Sequence, residues 1–462
     1  MDEQQIIKYI CQKEIEFGCY NAKIGEVSLY SLERDDFRLA QLEKMGAIVM
    51  SNHQEIDRIA VVTSALISCW HITKLLLSNK TRSTVIFPFA RVDKISGIYL
   101  DKFSDPVIDE SDLFGDDYIL MDHGRAGVHA KPRIHSDKIV YIDILHIIAD
   151  FKGRLFYKRF VKKNQQVFDL QKKSISKAFG DDSYDSTVER KMVVAYYYVQ
   201  LLKKIYRHLS PKRVMQPARV CAPLAAAHSL GIKTFEFQHG VTYGESSLYS
   251  GYQDKMVVPD CFLAFGENSP LNVYGIDEKK IVNIGWALWS YLEGNNTVKK
   301  YKNNDVLVVS DPEITDVIFN IIEKLAKGYP ESDFYVRPHP HEELKQKHYD
   351  IIDKIPNIIL QDKSINIMEV MMGFENIIGE NSTVLYEALS MNKKVGKLFF
   401  EGLHPIYLEE TDRESFWEIK DSESFDAFIK GNNNCKKPKS IYSPFNKALF
   451  YNVVFGDNVE KM

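Results

Sequence analysis

The chain has 462 residues, 45% of them hydrophobic and 26% charged, a balance that excludes collagen-like, mucin-like and wholly disordered sequences. Its 59 Lys and Arg against 63 Asp and Glu leave a net charge of −4, which argues against a general nucleic-acid binder and leaves room for local basic patches only. Six dispersed cysteines without a Cys-x-x-Cys pair indicate neither a disulfide framework nor a zinc knuckle, and the opening Met1-Asp2-Glu3-Gln4-Gln5 has no export-signal character, so the cytoplasm is the expected compartment.

Along the chain, short β-branched and aromatic runs alternate with longer helical patterns, the signature of βαβ units and parallel sheets in an α/β protein. In the first half, strands are predicted at 46–51, 84–90, 118–124, 138–145, 213–220, 233–239, 261–266 and 280–285. The apolar run 59–70, interrupted by Thr63, Ser64 and Ser68, falls short of the ~20 residues a spanning helix needs, so no membrane crossing is expected. Asp101, Asp105, Asp109, Asp116 and Asp117 fall in an acidic stretch that reads as a solvated loop and not as a metal site. Residues 151–163 set Phe151, Leu155 and Phe160 near one helical face with basic residues mostly on the others. That pattern suits a core-facing helix with a solvated basic side, or a peripheral contact with an anionic membrane surface.

The strand predicted at 233–239 ends in Gln238-His239-Gly240, placing His239 at a cleft where an imidazole takes a proton from an acceptor hydroxyl or stabilises a leaving phosphate. Glu236 and Glu245 compete with it for the base role. A polar, Asn/Lys-rich linker at 292–304 then divides the chain into an acceptor-side domain, 1–292, and a nucleotide-binding domain, 305–462.

Strands in the second half are predicted at 305–310, 333–339, 357–362, 376–380 and 394–400, the first two framing a complete βαβ unit. Ligands in open α/β sheets bind at carboxyl ends of strands, which puts Arg337 and His339 against a phosphate and Glu342 against a ribose or base. Glu380-Asn381-Ser382-Thr383 reads as a tight turn into a helix, a second phosphate cradle, with Glu387 one turn on as a partner for a ribose hydroxyl.

His239-Gly240, His339-Pro340 and Ser382-Thr383 together resemble metal-independent GT-B glycosyltransferases of bacterial surface polysaccharides, above all the sialic-acid-type and Kdo-type capsule transferases with cytidine-nucleotide donors. Teichoic-acid glycerophosphotransferases look similar too, through His239-Gly240 and Pro338–Pro340. The resemblance covers roughly residues 215–400. It implies two Rossmann-like domains facing a cleft, donor-phosphate contacts by His339, Ser382 and Thr383, inversion at the sugar carbon, no metal and no cofactor. The partners it implies are a CMP-sugar and a glycan or lipid-linked glycan acceptor, reached at the inner face of the cytoplasmic membrane. The acidic base motif of polysialyltransferases has no counterpart here. The alternatives are transfer of a polyol phosphate from a CDP-activated donor, a nucleotide-sugar epimerase, and a non-catalytic glycan-binding or assembly subunit.

Overall fold

The computed structural model describes residues 3–47, 57–217, 220–239, 245–266, 276–295, 299–403, 405, 407, 410–431 and 442–456, apart from positions 79, 90, 113, 116, 126, 248, 252, 253, 313 and 341. Residues 48–51 of the strand predicted at 46–51, together with Asp116 and Gly240, lie outside this set.

Runs such as Val306-Leu307-Val308-Val309 are buried over their whole length, which only a parallel strand covered on both faces accommodates. Two hairpins, β1 (Lys23–Ile24) with β2 (Val27–Ser28) and β4 (Asp93–Ile95) with β5 (Ile98–Leu100), flank the first sheet. That sheet contains β3 (Thr84–Ile86), β6 (Tyr118–Asp122), β7 (Ile139–Tyr141), β8 (Arg213–Pro217), β9 (Lys233–Phe237), β10 (Cys261–Ala264) and β11 (Ile281–Asn283), every pair parallel. The second contains β12 (Val306–Val309), β13 (Phe334–Arg337), β14 (Ile358–Leu360), β15 (Asn376–Gly379), β16 (Lys394–Leu398) and β17 (Trp417–Ile419), again all parallel. The strand β17 was not expected from the sequence.

The strand order is β11-β10-β9-β8-β3-β6-β7 in the first sheet and β14-β13-β12-β15-β16-β17 in the second. In both, the chain starts at an inner strand, winds to one edge, returns and winds to the other: the doubly wound Rossmann order. The α/β class and the arrangement of two Rossmann-like units about a cleft, GT-B, are as the sequence indicated. Each reversal opens a crevice beyond the strand ends, between β3 and β8 in one unit and between β12 and β15 in the other.

The chain does not finish where it was expected to. Ser443 N donates to Phe265 O (2.7 Å), Trp286 N to Ser443 O (2.8 Å), and Tyr442 stacks on Trp286 at 4.4 Å. The helix Lys447–Phe455 then packs on the helix Asp105–Ser111 and on Phe114. Residues 442–456 of the stretch assigned to a 305–462 domain therefore close on the first unit. One continuous apolar cluster joins the units, with Phe235, Phe265 and Trp286 on one side and Leu307, Met371 and Leu385 on the other.

Two helices of the first unit differ from expectation. The apolar run continues past Trp70, through His71 and Lys74, into a 20-residue helix, Arg58–Leu77, long and apolar enough by length and composition to cross a membrane. Residues 151–163 fall in the helix Asp143–Lys163, whose core face is Leu145, Ala149 and Gly153, while Phe151 and Leu155 point outward. Gly153 allows the close packing: a Cβ there would lie 2.4 Å from Val194 Cγ2.

Candidate functional site

At the reversal of the second sheet, β15 runs into Glu380-Asn381-Ser382 and the helix Thr383–Ser390. Gly379 lets this turn press on the neighbouring strand, since a Cβ would meet Val309 O at 3.0 Å. Ser382 is the N-cap in extended conformation, its Oγ accepting from Val384 N at 3.3 Å. Asn381 and Thr383 are exposed beside it, so this helix end offers backbone N–H groups and its positive pole to the crevice.

The end of β13 is organised differently from expectation. Arg337 is buried, its guanidinium donating to the carbonyls of Asp362, Lys363 (3.3 Å) and Ile365 (2.7 Å). It fastens the loop after β14 and is not placed as a phosphate ligand. Glu342 is likewise committed: its Oε1 accepts from Ser310 Oγ and Thr315 Oγ1, both 2.8 Å, and its Oε2 from His339 N at 2.7 Å. A buried carboxylate holding three donors is a structural clamp, and the ribose contact drawn from the sequence is corrected accordingly. What the clamp achieves is to present His339, which is exposed between Pro338 and Pro340.

In the first unit, His239 follows β9 on the side of Phe235 and Phe237, which face the cluster joining the units. Its ring lies 4.5 Å from Phe89 and 5.3 Å from Phe103. Burial, aided by the Lys102 ammonium, lowers its pKa to about 4, so the imidazole is neutral at pH 7. Glu236 alternates with these residues and points to the opposite face of the sheet; Glu245 has its backbone bound to Gln4 of the first helix. The structure therefore does not bring either carboxylate to His239.

Lys102 carries no sequence signal of a site residue. The stretch read as a solvated acidic loop has Asp101 and Asp105 fully buried. Asp101 accepts from Phe103 N (3.1 Å), Ser104 N (3.2 Å) and Ser104 Oγ (2.5 Å); Asp105 accepts from Asp101 N (2.7 Å) and Arg133 Nη1 (2.6 Å). Burial and mutual repulsion raise the pKa of Asp101, with Arg133 opposing. This locked turn holds Lys102 over Phe103, 5.3 Å from the ring centre, where its charge acts on His239 and also on Glu387 of the second unit. Glu387 is buried on the helix Thr383–Ser390, 3.5 Å from the Tyr442 hydroxyl, and burial raises its pKa against the pull of Lys102.

Lys397 on β16 is a second cation that sequence gave no sign of. It is fully buried within 5.5, 4.8 and 5.0 Å of the ring centres of Tyr386, Tyr407 and Phe416. Burial lowers its pKa to about 8, with Glu380 and Asp412 opposing. Its charge is thus felt at Glu380, in the turn before the helix Thr383–Ser390. Among the described residues no cluster of three metal-ligating side chains occurs.

The depressed His239 pKa has a consequence for stability. Between pH 6.5 and about 4 the unfolded chain binds a proton at this site that the folded chain does not, so folded stability falls as the pH drops through that window. His239→Asn should remove about 3 kcal/mol of the loss between pH 7 and 4, read as a smaller acid shift in the denaturation midpoint. An unchanged acid profile would show that the imidazole is not buried as described.

Neither a protein-family model nor a curated protein matches the sequence. Solved structures match its fold. The UDP-GlcNAc 2-epimerase from Methanocaldococcus jannaschii is 12% identical with a TM-score of 0.50, covering 81% of this chain and 99% of its own. The UDP-GlcNAc 2-epimerase from Neisseria meningitidis bound to UDP-GlcNAc is 14% identical, TM-score 0.47, covering 78% and 95%. The wall teichoic acid polymerase TagF is 11% identical, TM-score 0.39, covering 87% and 95%. At these identities the likeness is one of fold.

Proposed function

We propose that the chain uses a nucleotide-activated sugar, as an inverting, metal-independent glycosyltransferase that moves the sugar from a cytidine-nucleotide donor to a bacterial surface glycan. One observation supports this reading: Lys102 of the first unit acts both on His239 of its own unit and on Glu387 of the helix whose N-cap is Ser382 in the second, and His339 is exposed at the end of β13 in that second unit. The donor phosphates sit at the first turn of the helix Thr383–Ser390 with His339 beside them. Lys102 supplies positive charge from across the cleft as the phosphate leaves, the task a metal performs elsewhere. With Glu236 and Glu245 placed away from the cleft, proton acceptance from the attacking hydroxyl falls to His239 or Glu387. The choice of cytidine rests on the sequence resemblance. A UDP-GlcNAc 2-epimerase shares the fold, so epimerisation of a UDP-sugar is the second reading.

A thermal-shift series with CMP, CDP, UDP and GDP tests the donor, since a nucleotide at a hundred times its Kd stabilises the folded chain by about 2.7 kcal/mol. CMP protection supports a sialic-acid-type or Kdo-type donor, CDP a polyol-phosphate donor, and UDP alone overturns the cytidine assignment in favour of the second reading. With the donor known, Lys102→Met should lower turnover about 100-fold while nucleotide protection is kept. Wild-type turnover in this variant would remove Lys102 from the site.

A further inference from the structure

The helix Arg58–Leu77 exposes more large apolar side chains than it buries. The residues it turns to the protein include Ser64 and Ser68, whereas Ile59, Val62, Leu66, Trp70 and Leu77 point to solvent, Leu66 and Trp70 each 68% exposed. The buried serines are specifically engaged. Ser68 Oγ donates to Tyr141 O (2.9 Å) and accepts from Ile144 N (3.0 Å), and Ser64 Oγ lies 3.1 Å from His129 Nε2. These bonds fix the face the helix shows, and they lay it against β7 and the helix Asp143–Lys163, which no bilayer-spanning arrangement permits.

The neighbouring helix also exposes an apolar stripe and adds charge. Ile147, Phe151 and Leu155, at i, i+4 and i+8, form an exposed stripe with Phe151 63% exposed, and Lys158 and Lys162 continue that stripe toward the C-terminus. Between 151 and 163 the sequence has six basic residues and no acidic one. Asp150, just before, is paired to Arg154 at 2.8 Å. Both helices sink their inner sides into one core cluster through Ile72, Leu75, Leu145 and Ala149, so their outer stripes both look away from the first sheet. Val128, in a loop packed on Val61, is exposed beside them.

A helix on a soluble surface shows water a mostly polar outer face; two adjacent helices whose outer faces both carry large apolar stripes, one ending in a cationic terrace, have a solvent other than water on that side. We infer that the outer face of the helices Arg58–Leu77 and Asp143–Lys163 binds flat on an anionic lipid bilayer, the apolar stripes entering the headgroup boundary and Arg154, Lys158, Arg159, Lys162 and Lys163 meeting the lipid phosphates. The charge selects a membrane over a second copy of the chain: two such terraces brought face to face would repel. This contact is independent of the reaction in the cleft.

The test is flotation of the full chain with vesicles of phosphatidylcholine alone and of phosphatidylcholine with phosphatidylglycerol. The protein should bind the anionic vesicles far better, and added salt should weaken that binding. Lys158→Gln with Lys162→Gln should lower the partition coefficient on anionic vesicles about 30-fold, and Leu66→Ser with Trp70→Ser should abolish binding to both kinds. All four side chains are exposed, so an unchanged circular dichroism spectrum will confirm the fold. Failure of the wild-type chain to float with anionic vesicles overturns the inference. So does a concentration-dependent dimer that Leu66→Ser with Trp70→Ser abolishes while vesicle binding is unaffected, which would make the face an interface between copies.

Discussion

Replacing Glu342 with alanine should destabilise the second unit by about 3–5 kcal/mol, because Ser310 Oγ, Thr315 Oγ1 and the His339 amide would lose a charged acceptor inside the protein. Those donors belong to the end of β12, the start of the helix Thr315–Gly328 and the loop after β13, so the carboxylate ties together three segments that frame the crevice. Glu342→Gln keeps one accepting oxygen and should cost about 1–2 kcal/mol. Denaturant midpoints measure both, and a nucleotide-protection assay on the alanine variant should show the protection lost as the His339 loop comes free. A loss below about 1 kcal/mol in Glu342→Ala would show that the clamp does not hold the strand end.

The second large effect is expected far from the cleft. Arg38 Nε donates to Glu14 at 2.6 Å, its Nη2 also meets that carboxylate, and its Nη1 reaches the carbonyls of Ser247 (2.8 Å) and Ser250 (2.9 Å). Glu14 accepts in addition from Tyr20 (2.6 Å) and Tyr30 (2.8 Å). Burial pushes its carboxyl up, but the guanidinium prevails and holds it below the usual range. Arg38→Met removes the principal counter-charge of that buried carboxylate, leaving Arg34 and the two tyrosine hydroxyls beside it, at a cost of about 3–5 kcal/mol. The pH dependence at this site should also weaken. In the wild type the lowered carboxyl makes a contribution that is lost as the pH falls, and without Arg38 that loss should shrink. Pairing Arg38→Met with Glu14→Leu should recover much of the loss. If the single variant is as stable as the wild type at pH 7, the pair is not buried as described.

Strand positions were readable because parallel strands are buried on both sides and announce themselves as apolar runs; 305–310 and 376–380 contain β12 and β15. The turn at Ser382 was readable because a cap is a local bond to a residue two positions on. Arg337 and Glu342 were misread because their partners are distant in sequence: a carboxylate at a strand end looks the same whether it meets a ribose or Ser310, 32 residues away. Lys102 was hidden for the converse reason. Only the fold reveals that Asp101 and Asp105 are sealed in with Arg133, leaving the lysine between them as the residue on show.

The return of residues 442–456 to the first unit means that the two units are joined by the backbone twice, once near 295–301 and again between 431 and 442. A body tethered at a single point swings in any direction, whereas one tethered at two turns about the line between the tethers. Two connections, with the apolar cluster that joins the units, leave them less freedom to reorient than one connection would. For the function proposed above, part of the entropy of bringing the two half-sites together is then met when the chain folds.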